Sequence, residues 1–312
     1  MHILFAHLDD HFSFLSQQVL QVCAAEAKLT ILKDVDKSSQ FIKNNNVDIF
    51  ICTQANYQLF KLIKKETTTI LITNETIYQY SADLQNEEHN LIDHIIGAID
   101  SKWVIHELRI TLQKLITKDI FGISFYLRPK TDIKTHTIDL VEERHRHHSH
   151  VSSYMDRQKA PPAVVRHCHA ITEELLMNAL FDAPRAAGFS HLTKTNALPP
   201  DQRPLIEYGF DGKIIAISVK DTYGAFPKSI FFNYLKKSLY KGDADKILDT
   251  KVEGAGIGLF KILSYCHGII CNQNAGLETE VIALIDSEKV ERNIQKVPRS
   301  IHYFDQTLSS LD

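Results

Sequence analysis

The sequence predicts an α/β protein with two domains, and three observations support this prediction. The chain has 312 residues, which is enough for about two domains. In its first third, short apolar runs alternate with helical patterns, and in its last third a glycine-rich segment precedes an apolar helix. Hydrophobic residues make up 44% of the chain and charged residues 23%, as in ordinary globular proteins.

The N-terminal part, residues 1–117, alternates predicted strands with predicted helices. Apolar runs predict buried strands at 2–6, 47–52 and 68–73, and helical patterns predict helices at 12–27 and 108–116. Parallel strands need a crossover between them, and this crossover is usually a helix. The alternation therefore predicts a doubly wound parallel sheet.

This part also resembles the receiver domain of response regulators, at the level of the fold. Asp9 and Asp10 follow the first strand, where receivers hold their acidic metal-binding pair. Thr73 ends the predicted strand at 68–73, which corresponds to the fourth strand of receivers, and Lys102 is expected as the lysine of the fifth. Thr53, however, stands where receivers have the phosphoacceptor aspartate. The resemblance therefore implies a pseudo-receiver that makes contacts and does not accept a phosphoryl group.

A histidine-rich segment, RHRHHSH at 144–150, follows a predicted strand at 135–140 and lies in a predicted helix at 141–158. His147 and His150 are spaced i, i+3, which suits a soft metal, but no carboxylate or cysteine follows at a suitable spacing. No histidine here is followed directly by an acidic residue, as a phosphoacceptor histidine usually is. We interpret the segment as a basic interaction helix, with a phosphoacceptor and a metal site as alternatives.

Three polar residues share one face of the next predicted helix. Glu174, Asn178 and Asp182 are spaced i, i+4, i+8. An amide oxygen is a hard ligand for Mg²⁺, and a carboxylate can orient or deprotonate a nucleophile. The alternative is a solvated polar stripe on an amphipathic helix. The opposite, apolar stripe consists of Val164, Cys168, Ile171, Leu175 and Ala179.

Two further polar residues accompany predicted strands. Asp221 follows a buried strand predicted at 213–219 and precedes Gly224. A carboxylate at a strand end can accept a hydrogen bond from an exocyclic amine such as that of adenine, but it can also belong to an ordinary aspartate turn. Thr279 lies early in a strand that is predicted to follow the turn at Gly276.

The glycine-rich segment is EGAGIGLF at 253–260, in which Gly254, Gly256 and Gly258 alternate with small or apolar residues. Glycines allow a backbone to approach a ligand closely, and the following helix offers free N–H groups and a positive dipole end to an anion. The segment is typical of a phosphate-binding loop, although tightly packed loops show the same spacing. The sequence contains no P-loop pattern, GxxxxGK[ST].

Four segments resemble, in their chain order and spacing, the GHKL ATPase superfamily, which includes histidine kinases, anti-sigma-factor kinases, type II topoisomerases and mismatch-repair ATPases. They are the helix face at 174–182, Asp221, the glycine-rich segment at 253–260 and Thr279. The resemblance covers about residues 135–286 and implies a two-layer α/β sandwich with a mixed sheet that binds ATP and Mg²⁺. It implies Glu174 as catalytic base and Asn178 as Mg²⁺ ligand. The implied cofactor contacts are Asn178, Asp182, Asp221, Gly224, Gly254, Gly256, Gly258, Leu259 and Thr279.

The chain departs from the superfamily pattern at two places. Tyr223 and Ala225 stand where the aspartate motif usually has glycines. Phe181 stands three residues after Asn178, where kinases of the superfamily often carry a basic residue, and Arg185 is the nearest replacement.

Glutamate at position 174 is typical of the anti-sigma serine kinases and the ATPases. We therefore expect a signalling protein that phosphorylates serine or threonine of a protein partner, such as a sigma-factor regulator or another signalling protein. A nucleotide-dependent binding switch without catalysis and a histidine kinase are the alternatives. A homodimer is an alternative to a monomer.

The expected organisation is a pseudo-receiver at 1–117, a linker at 118–134, an ATP-binding domain at 135–290 and a C-terminal tail at 291–312. A net charge of −3 indicates no general attraction to nucleic acid. No apolar run reaches membrane-spanning length, and the first residues do not resemble a signal peptide, so we expect a cytoplasmic protein without a membrane partner. The five cysteines form no CxxC pair and are expected as buried free thiols.

Overall fold

The computed structural model of this chain describes residues 1–7, 27–80, 92–98, 101–189, 197–240, 257–289 and 296–306. It is an α/β protein that divides into two compact units. The first unit comprises Met1–Asp119 and Gln295–His302, and the second comprises Ile120–Ile294 and Tyr303–Asp312.

The described strands and helices follow in chain order. The strands are β1 (His2–Ala6), β2 (Lys28–Leu32), β3 (Ile49–Thr53), β4 (Thr68–Thr73), β5 (His94–Gly97), β6 (Ile133–Thr137), β7 (Leu205–Phe210), β8 (Ile214–Asp221), β9 (Gly268–Asn274), β10 (Glu278–Asp286) and β11 (Ser300–Asp305). The α-helices are α1 (Val35–Asn44), α2 (Ile77–Tyr80), α3 (Ser101–Thr117), α4 (Arg144–Arg157), α5 (Pro162–Met177), α6 (Ala183–Ala186), α7 (Lys228–Tyr240) and α8 (Ile257–Tyr265). Short 3₁₀ segments cover Gln54–Leu62, Ile123–Tyr126, Val141–Glu143 and Pro200–Gln202, and a π-helical turn covers Asn178–Asp182.

The first unit is built on five parallel strands in the order β2-β1-β3-β4-β5. Strands β1 and β4 have the predicted bounds, and β3 begins two residues later than predicted. Apolar side chains of these strands pack with Val104, Leu108 and Leu112, which recur every four residues along α3. The parallel sheet predicted from the alternating pattern is therefore present.

Of two further expectations for the first unit, one is wrong and the other falls on residues that the structure does not describe. Lys102 is not a strand residue: β5 ends at Gly97, and Lys102 lies exposed near the start of α3. The helix predicted at 12–27, together with Asp9 and Asp10, lies outside the described residues except for residue 27.

The C-terminal segment contributes a strand to the first unit. Ile301 and His302 of β11 pair antiparallel with Ile95 and His94 of β5. The backbone of Arg299 passes so close to Gly97 that a Cβ on this glycine would lie 2.8 Å from it. Residues 291–312, expected as a tail, therefore include a buried strand that is divided between the units after residue 302.

In the second unit, strands follow the order β9-β10-β8-β7-β6, and all these neighbours are antiparallel. The mixed sheet expected here is thus antiparallel over these five strands, because the short hairpins β7–β8 and β9–β10 can join only antiparallel neighbours. Helix α5 contacts α4, α8 and strand β8. The chain as a whole contains both parallel and antiparallel pairs.

The segment expected as a linker, 118–134, belongs largely to the second unit. It carries the buried side chains of Ile123 and Tyr126, and strand β6 begins at its end. The helix predicted at 141–158 starts as a 3₁₀ turn and continues as α4, while β6 lies two to three residues before its predicted position.

Helix α5 begins at Pro162, which suits the first turn of a helix because its missing N–H has no partner there in any case. After Met177 the helix widens into the π-helical turn. Pro184 accounts for this change, since it cannot donate a backbone hydrogen bond and its ring crowds the preceding turn. The predicted i, i+4, i+8 face therefore holds for Glu174 and Asn178 but is not α-helical as far as Asp182.

The described cysteines are free and buried, as expected, and Cys23 lies outside the described residues. Burial raises the pKa of Cys168 to about 12. A thiol in this state is not a nucleophile at neutral pH. The buried thiols thus act as small apolar side chains in the core.

Candidate functional site

Helices α5 and α8 bring together residues from two of the predicted motifs. A Cβ built on Gly258 would lie 2.9 Å from Glu174 Oε2 and 3.4 Å from Asn178 Oδ1. Gly258 is the second residue of α8, so the first turn of this helix directly faces the carboxylate and the amide. A Cβ at this position would require the glutamate side chain to shift, and Gly254 and Gly256 lie outside the described residues.

Leu259 and Asp182 have different surroundings in the same cluster. The side chain of Leu259 is buried, so its contribution to a ligand site is limited to its backbone at the first turn of α8. Burial raises the pKa of Asp182, Arg185 lowers it, and the Glu174 carboxylate raises it further. Asp182 therefore lies close enough to Glu174 to repel its charge.

Lys261 is a member of this cluster that the motifs did not predict. Its Nζ lies 2.7 Å from Glu174 Oε1, and the lysine and glutamate side chains are 48% and 18% exposed. The spacing from Gly258 is the signal that points to it, because residues three apart on a helix share a face. The carboxylate expected as a base is thus engaged in an ion pair.

Asp221 and Thr279 are directly opposite each other in the pairing of β8 with β10. The Asp221 carboxylate accepts a hydrogen bond from the backbone N–H of Tyr223 at 2.9 Å, and from those of Gly224 and Thr279. Burial raises the pKa of Asp221 from 3.8 to about 7, although these three N–H groups favour the ionised form. The structure therefore brings the two predicted residues together beneath a tight turn.

Gly224 packs against the turn between β9 and β10. It has a φ of +55°, and a Cβ there would lie 2.3 Å from the Asn274 carbonyl oxygen and 2.5 Å from the Leu277 nitrogen. Its own carbonyl accepts hydrogen bonds from Gly276 N at 3.0 Å and Gln273 Nε2 at 2.5 Å. Gly224, expected as a cofactor contact, thus has a packing role.

Gln273 links this turn to Thr279, whose buried hydroxyl donates to Gln273 Oε1 at 3.0 Å. The sequence analysis missed Gln273, since nothing in its own segment indicates the contact. The two bonds of its amide hold Gly224 and Thr279 in place and leave the Thr279 hydroxyl engaged within the protein.

A cavity of about 440 Å³ lies beside the same turn. The hydroxyls of Tyr223 and Thr222, which line it, are buried and make no hydrogen bond with any other residue that the structure describes. Neither Glu174 nor Asn178 lines this cavity, so it is distinct from the acidic cluster on α5. Its described lining residues are Ala187, Phe189, Asp201, Gln202, Thr222, Tyr223, Gly224, Ala225 and Gly276.

The histidine-rich segment forms a cluster with a strand residue that was not predicted. The ring centroids of His136, His147 and His150 lie 5.2 to 5.9 Å apart. Burial, with the neighbouring His136 and His150, lowers the pKa of His147 to about 4, so this imidazole is neutral at neutral pH. Within the described ranges, no three histidine, cysteine or carboxylate side chains form a group that could hold a metal ion.

The other half of this segment faces α5. His148 is buried, and its Nε2 lies 2.6 Å from Glu173 Oε2. His145 and Arg146 are exposed. The segment expected as an interaction helix thus has one exposed face and one face built into the fold.

The chain matches no known family model, and a search of the curated proteins finds no match either. Among the helices in the described residues, none has the length and apolar character needed to cross a membrane. The functional proposal therefore depends on the geometry of the second unit.

Proposed function

We propose that the second unit binds a nucleoside triphosphate with Mg²⁺ and transfers its terminal phosphoryl group to serine or threonine of a protein partner. The observation that carries this proposal is the contact of Gly258 with Glu174 and Asn178. It combines a glycine at a helix N-terminus, which favours a phosphate, with a carboxylate and an amide oxygen, which favour Mg²⁺.

The residues of this cluster fit a magnesium nucleotide. Mg²⁺ usually keeps several waters and binds one or two protein oxygens together with substrate phosphates, so it needs no complete protein cage. Asn178 would hold the metal, and the bound metal would neutralise phosphate charge. Asp182 adds a carboxylate near Glu174, which makes a cation more favourable at this position.

Glu174 would accept the proton of the attacking hydroxyl. As the hydroxyl oxygen bonds to the terminal phosphorus, the bond from phosphorus to the leaving nucleoside diphosphate breaks. A general base of this kind typically contributes about 10²–10⁴-fold to a rate. Positioning and charge neutralisation supply most of the remainder.

Asp221 would bind the base of the nucleotide. A carboxylate has about four acceptor positions, and three are used by the backbone N–H groups described above. One position remains for an exocyclic amine. The ionised form is the better acceptor, so a pKa near 7 makes nucleotide affinity rise as the pH increases through neutrality.

A binding switch without catalysis is the second candidate, and the ion pair of Glu174 with Lys261 favours it. The ammonium group, 2.7 Å from Oε1, occupies one of the two carboxylate oxygens that would accept the proton. In this case nucleotide binding would change the affinity for a partner, and no phosphoryl group would be transferred.

For the first unit we propose a pseudo-receiver that serves as a contact domain. The strand order 2-1-3-4-5 is that of the flavodoxin-like doubly wound folds, which supports this proposal. Thr53 ends β3 as a buried hydroxyl, where a phosphoacceptor would need an exposed carboxylate. Mass spectrometry after treatment with acetyl phosphate should show no phosphoryl adduct on the first unit, and an adduct would contradict the proposal.

Titration calorimetry of the full chain with ATP and ADP tests nucleotide binding. We expect Asn178→Ala to weaken Mg²⁺-dependent ATP binding and Asp221→Asn to weaken ATP and ADP alike. Asn233→Ala, at an exposed position of α7, is the control and should change neither. Wild-type protein that binds neither nucleotide at millimolar concentration would overturn the proposal, and labelled ATP then distinguishes phosphoryl transfer from binding alone.

A further inference from the structure

The ion pair between Lys261 and Glu174 lies beside Gly258, in the first turn of α8. The two oxygens of the Glu174 carboxylate have different neighbours: Oε1 contacts Lys261 Nζ at 2.7 Å, and Oε2 faces Gly258. A single carboxylate is therefore placed between an ammonium group and the first turn of α8. An anion that reaches this turn meets both the lysine and the glutamate.

The pair is held loosely enough to separate. The lysine side chain is half-exposed, so its ammonium group can leave the carboxylate for water or for another anion. Lysine also carries its charge on a flexible four-carbon stem, so its amino group can change partner without a change in the backbone. The arrangement thus costs little to break when a stronger anion arrives.

Another described cation near this cluster, Arg185, pairs with Asp182 and not with Glu174. Arg185 Nη1 lies 3.5 Å from Asp182 Oδ1, and Phe181, on the same π-helical turn as Asp182, has no charge to offer. A terminal phosphate carries more negative charge than a carboxylate and accepts more hydrogen bonds. Lys261 is therefore the cation that can move from Glu174 to the phosphate of a bound nucleotide.

We propose that Lys261 senses the terminal phosphate of a nucleoside triphosphate. Without this phosphate, the lysine stays paired with Glu174 and keeps the carboxylate from acting as a base. When the phosphate is present, the ammonium group moves to it and releases Glu174. This inference rests on the proposed nucleotide binding, and it reconciles a kinase-type carboxylate with the ion pair observed in the structure.

Calorimetry with ATP and ADP on Lys261 variants of the full chain tests this role. A charge-assisted hydrogen bond contributes about 1.5–3 kcal/mol, so Lys261→Met should weaken ATP binding by about 10–100-fold and ADP binding by less than about threefold. Lys261→Arg, which keeps the charge, should restore most of the ATP affinity. Lys134→Met is the matched control, because Lys134 is 41% exposed and pairs with Asp132 at 2.8 Å, and it should change neither affinity.

A second variant separates sensing from a structural ion pair. Glu174→Gln removes the competitor for Lys261 and should strengthen ATP binding, and this gain should disappear when Lys261→Met is added. Equal losses of ATP and ADP affinity in Lys261→Met, with wild-type protein binding both nucleotides, would overturn this inference alone. Wild-type protein that binds neither nucleotide would overturn the proposed function and the inference with it.

Discussion

The two units have different side chains at the ends of their strands. In the first unit, β3 and β4 end in Thr53 and Thr73, which are buried and uncharged. In the second unit, β8 ends in Asp221, a buried carboxylate held by three backbone N–H groups. A buried charge is far more costly than a buried hydroxyl, so it is kept only where the surrounding groups stabilise it. The comparison indicates that an α/β architecture alone does not show where chemistry occurs.

The units also differ in how their strands are connected. In the first, the parallel strands are joined by crossovers, and a distant segment covers β5. In the second, hairpins join successive strands. The carbonyl of Gly224, just after β8, accepts hydrogen bonds from Gln273 and from the turn between β9 and β10. Substitutions at these points should therefore affect one unit and not the other.

The largest effect is expected for Gly224→Ala. The new Cβ would meet backbone atoms at 2.3 to 2.6 Å, and φ is +55°, so we expect the second unit to lose about 3–5 kcal/mol. Urea unfolding followed by circular dichroism measures this loss. Fluorescence of Trp103, the single tryptophan of the chain and part of the first unit, should change little.

Gly276→Ala is the control for this substitution. Gly276 has a φ of +75° but nothing within 4 Å of its Cβ position, so only backbone strain of about 1 kcal/mol is expected. Equal losses for the two variants would contradict the packing role of Gly224.

A lower pH is expected to have an intermediate effect on the stability of the second unit. The pKa of His147 is lowered from 6.5 to about 4, so the unfolded state binds more protons between these values. The stability that this histidine contributes is complete above pH 6.5 and falls towards pH 4, by at most about 3 kcal/mol. Unfolding of the second unit across this range should show a smaller loss in His147→Gln.

Asp221 acts in the opposite direction over the whole of this range. Its raised pKa stabilises the folded state as the pH falls from about 7, so the comparison must be made between variants. His145→Gln, at an exposed position of the same helix, is the control and should keep the wild-type slope. A slope that His147→Gln leaves unchanged would assign the acid sensitivity to other groups.

The smallest effect is expected for a pair of threonine substitutions. Thr279→Val removes a hydroxyl that donates to Gln273 Oε1 and should cost about 1–2 kcal/mol. Thr53→Val removes a buried hydroxyl without a hydrogen-bond partner among the described residues, so it should be neutral or stabilise the first unit by about 1 kcal/mol. Trp103 fluorescence follows the second variant, and a clear loss there would indicate that the Thr53 hydroxyl has a partner.

Local patterns predicted several elements well. The strands β1 and β4, and the apolar helix that follows the glycine-rich segment, were predicted from apolar runs in the sequence. Asp221 and Thr279 were predicted individually, but their pairing depends on the register of β8 with β10, which no local pattern specifies.

Long-range contacts were the features that the sequence did not predict. Lys261 reaches Glu174 across 87 residues of sequence, and His136 joins the helix histidines from a strand. The widening of the helix at Asn178 follows from Pro184 only once the helix is known to continue past it. The GHKL-type layout and the nucleotide itself remain predictions.

The division of β11 has a consequence for biosynthesis. The amide of Gly97 donates to Ser300 Oγ, a partner 203 residues later in the chain. A ribosome releases the N-terminal segments first, yet the first unit lacks its last strand until residues 300–302 have been made. The second unit can assemble most of its sheet earlier, so the N-terminal part should be completed last, once residues 300–302 have left the ribosome.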